Sequence, residues 1–236
     1  KLFLIDKQIK NKERVVSDNF LDEIKKVIEK NELTYYVCIG PQSNLALLIN
    51  EYPELKSKVK ILFIGGSINY MIPNKPEHNI KYDIPAAVEV FHSDWDKKYV
   101  LSDVTFRDEI KIDRESEIFK KLVELNKPHF NFIIESMSYF FEQIAPSTRM
   151  HDPLTLSHLI DDKIIDFEIQ KIAMDKKGVM TIDPDGRDTV VSRSANYELF
   201  LNIFKDTQRG VLKSVDLEIL SERDNRRPVD RKMINV

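Results

Sequence analysis

The sequence lacks several features that would assign it to a common class of protein. It contains one cysteine, Cys38, so no disulfide can form within the chain, and we expect a reducing, cytoplasmic compartment. No apolar run reaches the roughly 18 residues of a membrane span, so we expect no membrane partner. The net charge of −3 gives no electrostatic reason to expect nucleic acid as the main partner.

The amino terminus also lacks the pattern of a signal peptide. Its apolar run covers only Leu2–Ile5, and charged residues follow at once. There is no initiator methionine, so residue 1 need not be the first residue of the gene product. Cys38 lies beside Tyr36, Val37 and Ile39, which is typical of a small core residue rather than a catalytic thiol.

In the first half of the chain, short apolar runs alternate with segments of helical spacing. The predicted strands are Leu33–Ile39, Val59–Ile64 and Lys97–Thr105, and helices are predicted from Phe20, from Ser43 or Asn44, and around Pro85. Ser17 or Asp18 is the expected N-cap of the first helix. Because the strands are apolar on both faces, we predict an α/β fold with an open, mostly parallel sheet covered by helices on both faces.

The second half has a different pattern. Helices are predicted over Glu115–Leu125, Pro128–Ile144, from Met150 onwards, and from Tyr197 to Phe204, with alternating strands over 166–173 and 188–195. We predict one α/β domain over residues 1–211 and a charged tail over Leu212–Val236. A basic cluster in the tail, Arg223–Lys232, is typical of a solvated segment, with a partner-binding arm as the alternative.

Polar residues follow the end of each predicted strand. These segments are Gly40–Asn44, Gly65–Ser67 and Asp103–Thr105. Ligands of parallel α/β sheets bind beyond the carboxyl ends of the strands, so we expect these segments to line one candidate site.

Four segments together resemble a known family. "IGPQSNLAL", "GGSINYMIPNKPEHNIKYDIPAA", "SDVT" and "MHDPLTL" are similar, in that order, to landmarks of the inosine–uridine-preferring nucleoside hydrolases. The similarity extends from about Phe20 to Phe204. It implies an open α/β sheet, cleavage of the N-glycosidic bond of ribonucleosides to ribose and free base, and a bound calcium ion that holds the ribose diol and the attacking water. It also implies a ribonucleoside substrate and a homo-oligomer.

The resemblance assigns a role to three residues near the bond that is cleaved. Asp152 resembles the calcium-binding aspartate of the His-Asp-Pro motif, and Thr105 resembles the threonine whose backbone carbonyl binds the ion. His151 resembles the histidine that protonates or polarises the leaving base. Local sequence alone also allows Asp152 to be a helix N-cap followed by Pro153.

Three further residues resemble substrate contacts. Glu77 and Asn79 resemble the Glu and Asn that bind the 5′ and 3′ sides of the ribose, and Asn44 resembles the turn asparagine near the diol. Asn44 is also a plausible helix N-cap in its own right.

One motif of the family is missing. An Asp-x-Asp-x-x-x-Asp-Asp cluster follows the first strand of these enzymes and supplies most calcium carboxylates, yet nothing before Ile39 contains it. By landmark spacing, the first strand of the sheet is missing as well. Three interpretations stay open: a fragment whose complementing N-terminal segment lies elsewhere, a degenerate member that binds nucleoside or ribose without hydrolysis or serves as a scaffold subunit, and an unrelated α/β binding module.

Overall fold

The computed structural model describes residues 20–125 and 128–209. The predicted N-cap at Ser17 or Asp18, the boundary at residue 211 and the charged tail lie outside these residues. Within the described ranges, no helix has the length and apolarity needed to cross a bilayer.

The described strands form one main sheet and one small pair. Their bounds are β1 Thr34–Cys38, β2 Val59–Ile64, β3 Lys97–Val100, β4 Lys111–Asp113, β5 Ser147–Arg149, β6 Ile165–Met174, β7 Met180–Ile182 and β8 Arg187–Ala195. The main sheet has the order β1-β2-β3-β8-β6-β7, and β4 pairs with β5. Three pairs are parallel: β1 with β2, β2 with β3, and β3 with β8. β6 is antiparallel to both β8 and β7. The predicted α/β class with a mostly parallel sheet is confirmed.

The described helices connect these strands. They are α1 Phe20–Glu29, α2 Ser43–Glu51, α3 His78–Tyr82, α4 Ile84–His92, α5 Ser102–Thr105, α6 Glu117–Leu125, α7 Pro128–Gln143, α8 His151–Ser157 and α9 Tyr197–Arg209. Short 3₁₀ turns cover Pro53–Lys58 and Asp108–Ile110.

Helices cover both faces of the sheet, as predicted. One face packs β2 and β3 residues such as Phe63 and Tyr99 against α1, α2 and α4, with Ile28 and Leu48 in the shared core. The other face packs β2 and β3 residues such as Leu62 against α6, α7, α8 and α9. Cys38 belongs to the first core, where burial raises the pKa of its thiol to about 11. Its predicted core position is therefore confirmed.

The third strand is shorter than the sequence pattern predicted. β3 ends at Val100, and Ser102–Thr105 forms the helical turn α5. The Leu101 N–H donates to Ser192 Oγ at 2.9 Å, and the Ser102 N–H donates to the Gly66 carbonyl at 2.9 Å. These contacts attach the start of α5 to β8 and to the turn after β2. The helical turn is then closed by Val104 and Thr105, whose N–H groups donate to the Leu101 carbonyl, and by the Phe106 N–H, which donates to the Ser102 carbonyl.

The candidate active site

The centre of the candidate site is a contact between two residues that are 46 positions apart. Thr105, at the end of α5, is fully buried, and its Oγ1 lies 2.8 Å from Nδ1 of His151, the first residue of α8. The segment that follows β3 therefore meets the start of α8 at the carboxyl edge of the sheet. The structure brings these two predicted site residues into direct contact, and the Nε2 atom of His151 is the nitrogen that remains for a ligand.

The imidazole of His151 is held on one side by an aromatic ring. Phe106 stacks on it with ring centroids 6.1 Å apart and an interplanar angle of 25°. The guanidinium carbon of Arg149 lies 3.8 Å from the Phe106 ring centroid, and Arg149 Nη2 donates to Asp108 Oδ1 at 2.7 Å. Burial, the charge of Arg149 and then that of His78 lower the pKa of His151 to about 4. At neutral pH His151 is therefore a neutral imidazole, which can polarise a group by donating a hydrogen bond.

Glu77 lies beside the glycine turn that ends β2. Its Oε2 accepts hydrogen bonds from the backbone N–H groups of Gly66 at 3.1 Å, Asn79 at 2.9 Å and Ile80 at 3.4 Å. It thus caps α3 and fixes the turn, in which Gly66 has a φ of +80° that favours glycine. Glu77 is buried, and burial raises the pKa of its carboxyl despite these three donors.

Asn79 and Asn44 occupy different parts of the same sheet edge. Asn79 Nδ2 donates to the Ile64 carbonyl at 2.8 Å, so Asn79 is fixed to the last residue of β2. Asn44 is exposed in the first turn of α2, just beyond β1. The alternative prediction that Asn44 caps this helix is wrong, because the N-cap is Gln42 and the helix starts at Ser43.

Asp103 is a site residue to which the sequence analysis gave no role. Its Oδ2 accepts from Ser67 Oγ at 2.6 Å and from the Ile68 N–H at 3.0 Å, and its Oδ1 accepts from the Asn69 N–H at 2.8 Å and from Asn69 Nδ2 at 3.2 Å. Asp103 therefore holds the loop after Gly66 against α5. The sequence placed Asp103 just past β3, where ligands of such sheets bind, and this was the signal available for it. Its contacts with the loop at residues 67–69, more than thirty positions earlier, are visible only in the tertiary structure.

Arg149 and Phe106 were also missed. Neither belongs to a landmark segment, since Arg149 precedes the "MHDPL" stretch and Phe106 follows "SDVT". Their stacked arrangement with His151 depends on β5, which pairs with β4 and positions Arg149 beside α5.

Asp152 lies in the first turn of α8, next to His151. The alternative that it is the N-cap of this helix is wrong, because the N-cap is Met150 and no side chain caps the helix there. Partial burial raises the pKa of the Asp152 carboxyl. Since its side chain retains an exposed portion, it is available to a ligand.

The residues described do not fit a complete metal site. Among residues 20–125 and 128–209, no group of three or more His, Cys, Asp or Glu side chains is arranged to hold a metal ion. Asp103 is already engaged by four donors, which leaves Asp152 and the backbone carbonyl of Thr105 as the predicted ligands. A hard divalent cation normally takes six or more oxygen ligands, so these two fall short.

The chain is an α/β protein with an open, mostly parallel sheet, and a histidine, carboxylates and amides lie at the carboxyl edge, where α/β proteins bind their ligands. The sequence model of the inosine-uridine preferring nucleoside hydrolases matches residues 5–218. The chain therefore belongs to this family, as the resemblance of the four segments predicted. The family implies a metal site, and no cluster of His, Cys, Asp or Glu side chains among the described residues forms one.

Relatives of similar sequence are named ribonucleoside hydrolases. A probable ribonucleoside hydrolase of Dictyostelium discoideum is 29% identical over 201 residues, which cover 81% of this chain and 57% of that protein. The pyrimidine-specific ribonucleoside hydrolase RihA of Escherichia coli strain SMS-3-5 is 28% identical over 166 residues, covering 66% of this chain and 52% of that one. The chain thus spans about half the length of the curated relatives that it matches.

Solved structures share the fold. The purine-preferring ribonucleoside hydrolase from Gardnerella vaginalis superimposes with a TM-score of 0.68 at 22% identity, covering 81% of this chain and 65% of that one. An inosine-uridine preferring nucleoside hydrolase from Bacillus anthracis gives a TM-score of 0.64 at 16% identity. At this identity the likeness concerns the fold, and it agrees with the α/β architecture predicted from the sequence.

Proposed function

We propose that this protein is an N-glycosyl hydrolase that cleaves ribonucleosides to ribose and free base once its metal site is complete. The contact between Thr105 Oγ1 and His151 Nδ1 is the observation that carries the proposal. It fixes the imidazole at the sheet edge and leaves Nε2 for the leaving base, which gains negative charge as the glycosidic bond breaks. A hydrogen bond from Nε2 to the base would stabilise that charge.

The ribose contacts are assigned to the atoms that the fold leaves available. The three backbone donors around Glu77 all meet Oε2, so Oε1 is the oxygen proposed to accept from the 5′ side of the ribose. Asn79 donates through Nδ2 to the Ile64 carbonyl, so its Oδ1 is proposed for the 3′ hydroxyl. Asn44, exposed beyond β1, is the proposed diol contact.

Calcium is the proposed ion, because carboxylate and carbonyl oxygens suit a hard cation. Asp152 and the Thr105 carbonyl are the proposed ligands from this chain, and further carboxylates are proposed to come from a complementing segment. The natural assembly is proposed to be a homo-oligomer of the completed domain.

A second candidate is a catalytically silent protein that binds nucleoside or ribose, or serves as a scaffold subunit. The observation in its favour is the incomplete set of metal ligands among the described residues. Binding of ribose that does not change when calcium is chelated would distinguish this candidate from the hydrolase.

The test is release of ribose from inosine and from uridine by the 236-residue chain, with added calcium and again with a calcium chelator. Turnover that the chelator abolishes would support the proposal. The variant His151→Ala should lower turnover by a factor on the order of 10² or more, while His92→Ala, an exposed histidine at the end of α4, should not change it.

If the chain alone is inactive, the assay is repeated after the complementing segment is supplied. Activity that then appears would support the hydrolase. Inactivity in both assays, combined with ribose binding that ignores the chelator, would favour the silent binding protein instead.

A further inference from the structure

A hydrogen bond joins the first residue of α2 to the N-cap of α4. Ser43 Oγ donates to Asp83 Oδ2, although the two residues are 40 positions apart in the chain. The other carboxylate oxygen of Asp83, Oδ1, accepts from the Ala86 N–H at 3.1 Å and thereby caps α4. Ser43 and Asp83 are both half-buried. One carboxylate therefore holds the beginnings of two helices together.

Both helices have reason to depend on this carboxylate. α2 and α4 pack against each other, and both contribute buried residues to the core on one face of the sheet. Among the described residues, no side chain caps α2, and neither helix carries an acidic residue in its own first turn. A carboxylate at the amino terminus of a helix is stabilising, because it faces the free N–H groups and the positive end of the helix dipole. Asp83 lies where it can serve both helix starts.

Asp83 also ends the helix that carries proposed ribose contacts. α3 follows its N-cap, Glu77, contains Asn79, and ends at its C-cap, Asp83. The remaining proposed contact, Asn44, directly follows Ser43 in the first turn of α2. The hydrogen bond from Ser43 to Asp83 is therefore a direct link between the two segments to which the ribose contacts are assigned.

We propose that Asp83 is a positioning residue, which acts through Ser43 on Asn44. It fixes Asn44 at a set distance from the two ribose contacts of the α3 segment, Glu77 and Asn79. This role rests on the proposed function for the identity of the ligand, and it deepens that function by naming the group that holds the ribose contacts in register. Since a sugar is recognised through several hydroxyl groups at once, displacing one contact relative to the others weakens its binding.

The test compares two serine substitutions at the starts of helices. Ser43→Ala removes the donor to Asp83 and leaves the cap of α4 in place. Ser116→Ala is the matched control, because Ser116 Oγ donates to the Asp113 carbonyl at 2.7 Å just before α6, which packs on the opposite face of the sheet. Ribose release from inosine is measured with the chain alone or with the complementing segment, whichever gives wild-type turnover.

The expected kinetic result is a change in KM rather than in kcat. Loss of one well-placed hydrogen bond in Ser43→Ala should raise KM about tenfold, and kcat should stay within about threefold because the groups around the leaving base are untouched. Ser116→Ala should change neither constant. Ser43→Thr keeps the hydroxyl and should restore the wild-type KM, which a general loss of stability would not predict.

A double-mutant cycle tests the link itself. Asp83→Asn keeps one side-chain oxygen to cap α4, but it has no second oxygen to accept from Ser43. The double variant Ser43→Ala/Asp83→Asn should have about the KM of either single variant, since each substitution removes the same hydrogen bond. Effects that multiply in the double variant would show that the two side chains act independently, which would overturn the inference.

An NMR measurement tests the positioning without any turnover. The side-chain amide signals of Asn44 should shift in Ser43→Ala and in Asp83→Asn. Those of Asn196, which precedes α9 and accepts from the Leu199 N–H at 3.0 Å, should stay in place in both variants. Asn44 signals that move no further than those of Asn196 would overturn the inference.

The kinetic outcomes are separable from the fate of the proposed function. An active Ser43→Ala variant with unchanged KM overturns the positioning role and leaves the hydrolase standing, and so does a KM that Ser116→Ala raises equally or that Ser43→Thr fails to restore. If no form of the wild type releases ribose, the hydrolase fails. The Asn44 amide signals then decide the inference alone, with shifts in both variants supporting it.

Discussion

His151 Nδ1 lies 2.8 Å from Thr105 Oγ1, and this hydrogen bond joins α8 to the segment that follows β3. The variant Thr105→Val removes the hydroxyl and keeps the shape of the side chain. We expect it to cost about 1 kcal/mol of unfolding free energy and to lower kcat more than it changes KM, because the imidazole loses its orientation. Urea denaturation and ribose-release kinetics measure the two effects.

Thr155→Val is the matched control for this substitution. Thr155 is also fully buried, but its Oγ1 donates to the backbone carbonyl of His151 at 3.1 Å rather than to the ring. Both variants should lose similar stability, and only Thr105→Val should move the ring proton signals of His151 in NMR spectra. Identical spectra for the two variants would contradict the assignment.

The charge of Arg149, which lies against the ring of Phe106, acts on His151. Since this charge is one cause of the lowered pKa of His151, about 4, the variant Arg149→Met should raise that pKa toward the ordinary value of 6.5. An NMR titration of the histidine ring protons measures it. Arg114→Met removes an arginine that pairs instead with Glu142 on α7, and it should leave the titration of His151 unchanged. A shift of equal size in both variants would contradict a specific effect of Arg149.

Glu77 should make the unfolding free energy decrease as the pH rises above 4.5. Burial raises the pKa of its carboxyl above the ordinary 4.5, so the folded state holds the proton more tightly than the unfolded state. The contribution of Glu77 is therefore fully present below pH 4.5 and is lost as the pH rises through the raised pKa. As the pH increases from 4.5 through the raised pKa, the unfolding free energy of the wild type should decrease relative to that of Glu77→Gln. Urea denaturation at several pH values can measure this difference. A difference between wild type and Glu77→Gln that does not vary with pH would contradict this.

Lys97 should make the unfolding free energy increase with pH in the alkaline range, the opposite of the decrease expected from Glu77. Its Nζ donates to the Ser93 carbonyl, but burial, followed by the charge of Arg187, lowers its pKa from 10.5 to about 8. Between pH 8 and 10.5 the unfolded state binds the extra proton, so unfolding free energy should rise with pH across this window. Lys97→Met should lack that rise, whereas Lys171→Met, at a lysine paired with Asp188 on the surface, should retain it. Denaturation at pH 7, 8, 9 and 10 measures the effect.

The class of fold and the longer helices and strands were predictable from the sequence, whereas the short strands β4, β5 and β7 and the short helices α3 and α5 were not. Apolar runs that end at glycine or proline identified β1 and β2. The structure buries nearly all of β2, whereas in β1 Cys38 is buried and Tyr35 is exposed.

The predicted third strand extended too far because "LSDVT" mixes apolar and polar residues and contains the β-branched residues Val104 and Thr105, which also occur in strands. In the structure β3 ends at Val100, and the Leu101 and Ser102 carbonyls accept the helical hydrogen bonds of α5 instead of continuing a ladder.

The residues of the candidate site were predicted in part from the sequence, and tertiary structure adds the contacts between them. The roles predicted for His151, Asp152 and Thr105 come from the resemblance of "SDVT" and "MHDPLTL" to landmarks of the family, which are visible in the linear sequence. Three features join residues far apart in the chain: the contact of Thr105 with His151, the contacts of Phe106 with His151 and Arg149, and the loop held by Asp103. Such contacts arise from the packing of α5 and α8 against one sheet edge, and no local pattern encodes them.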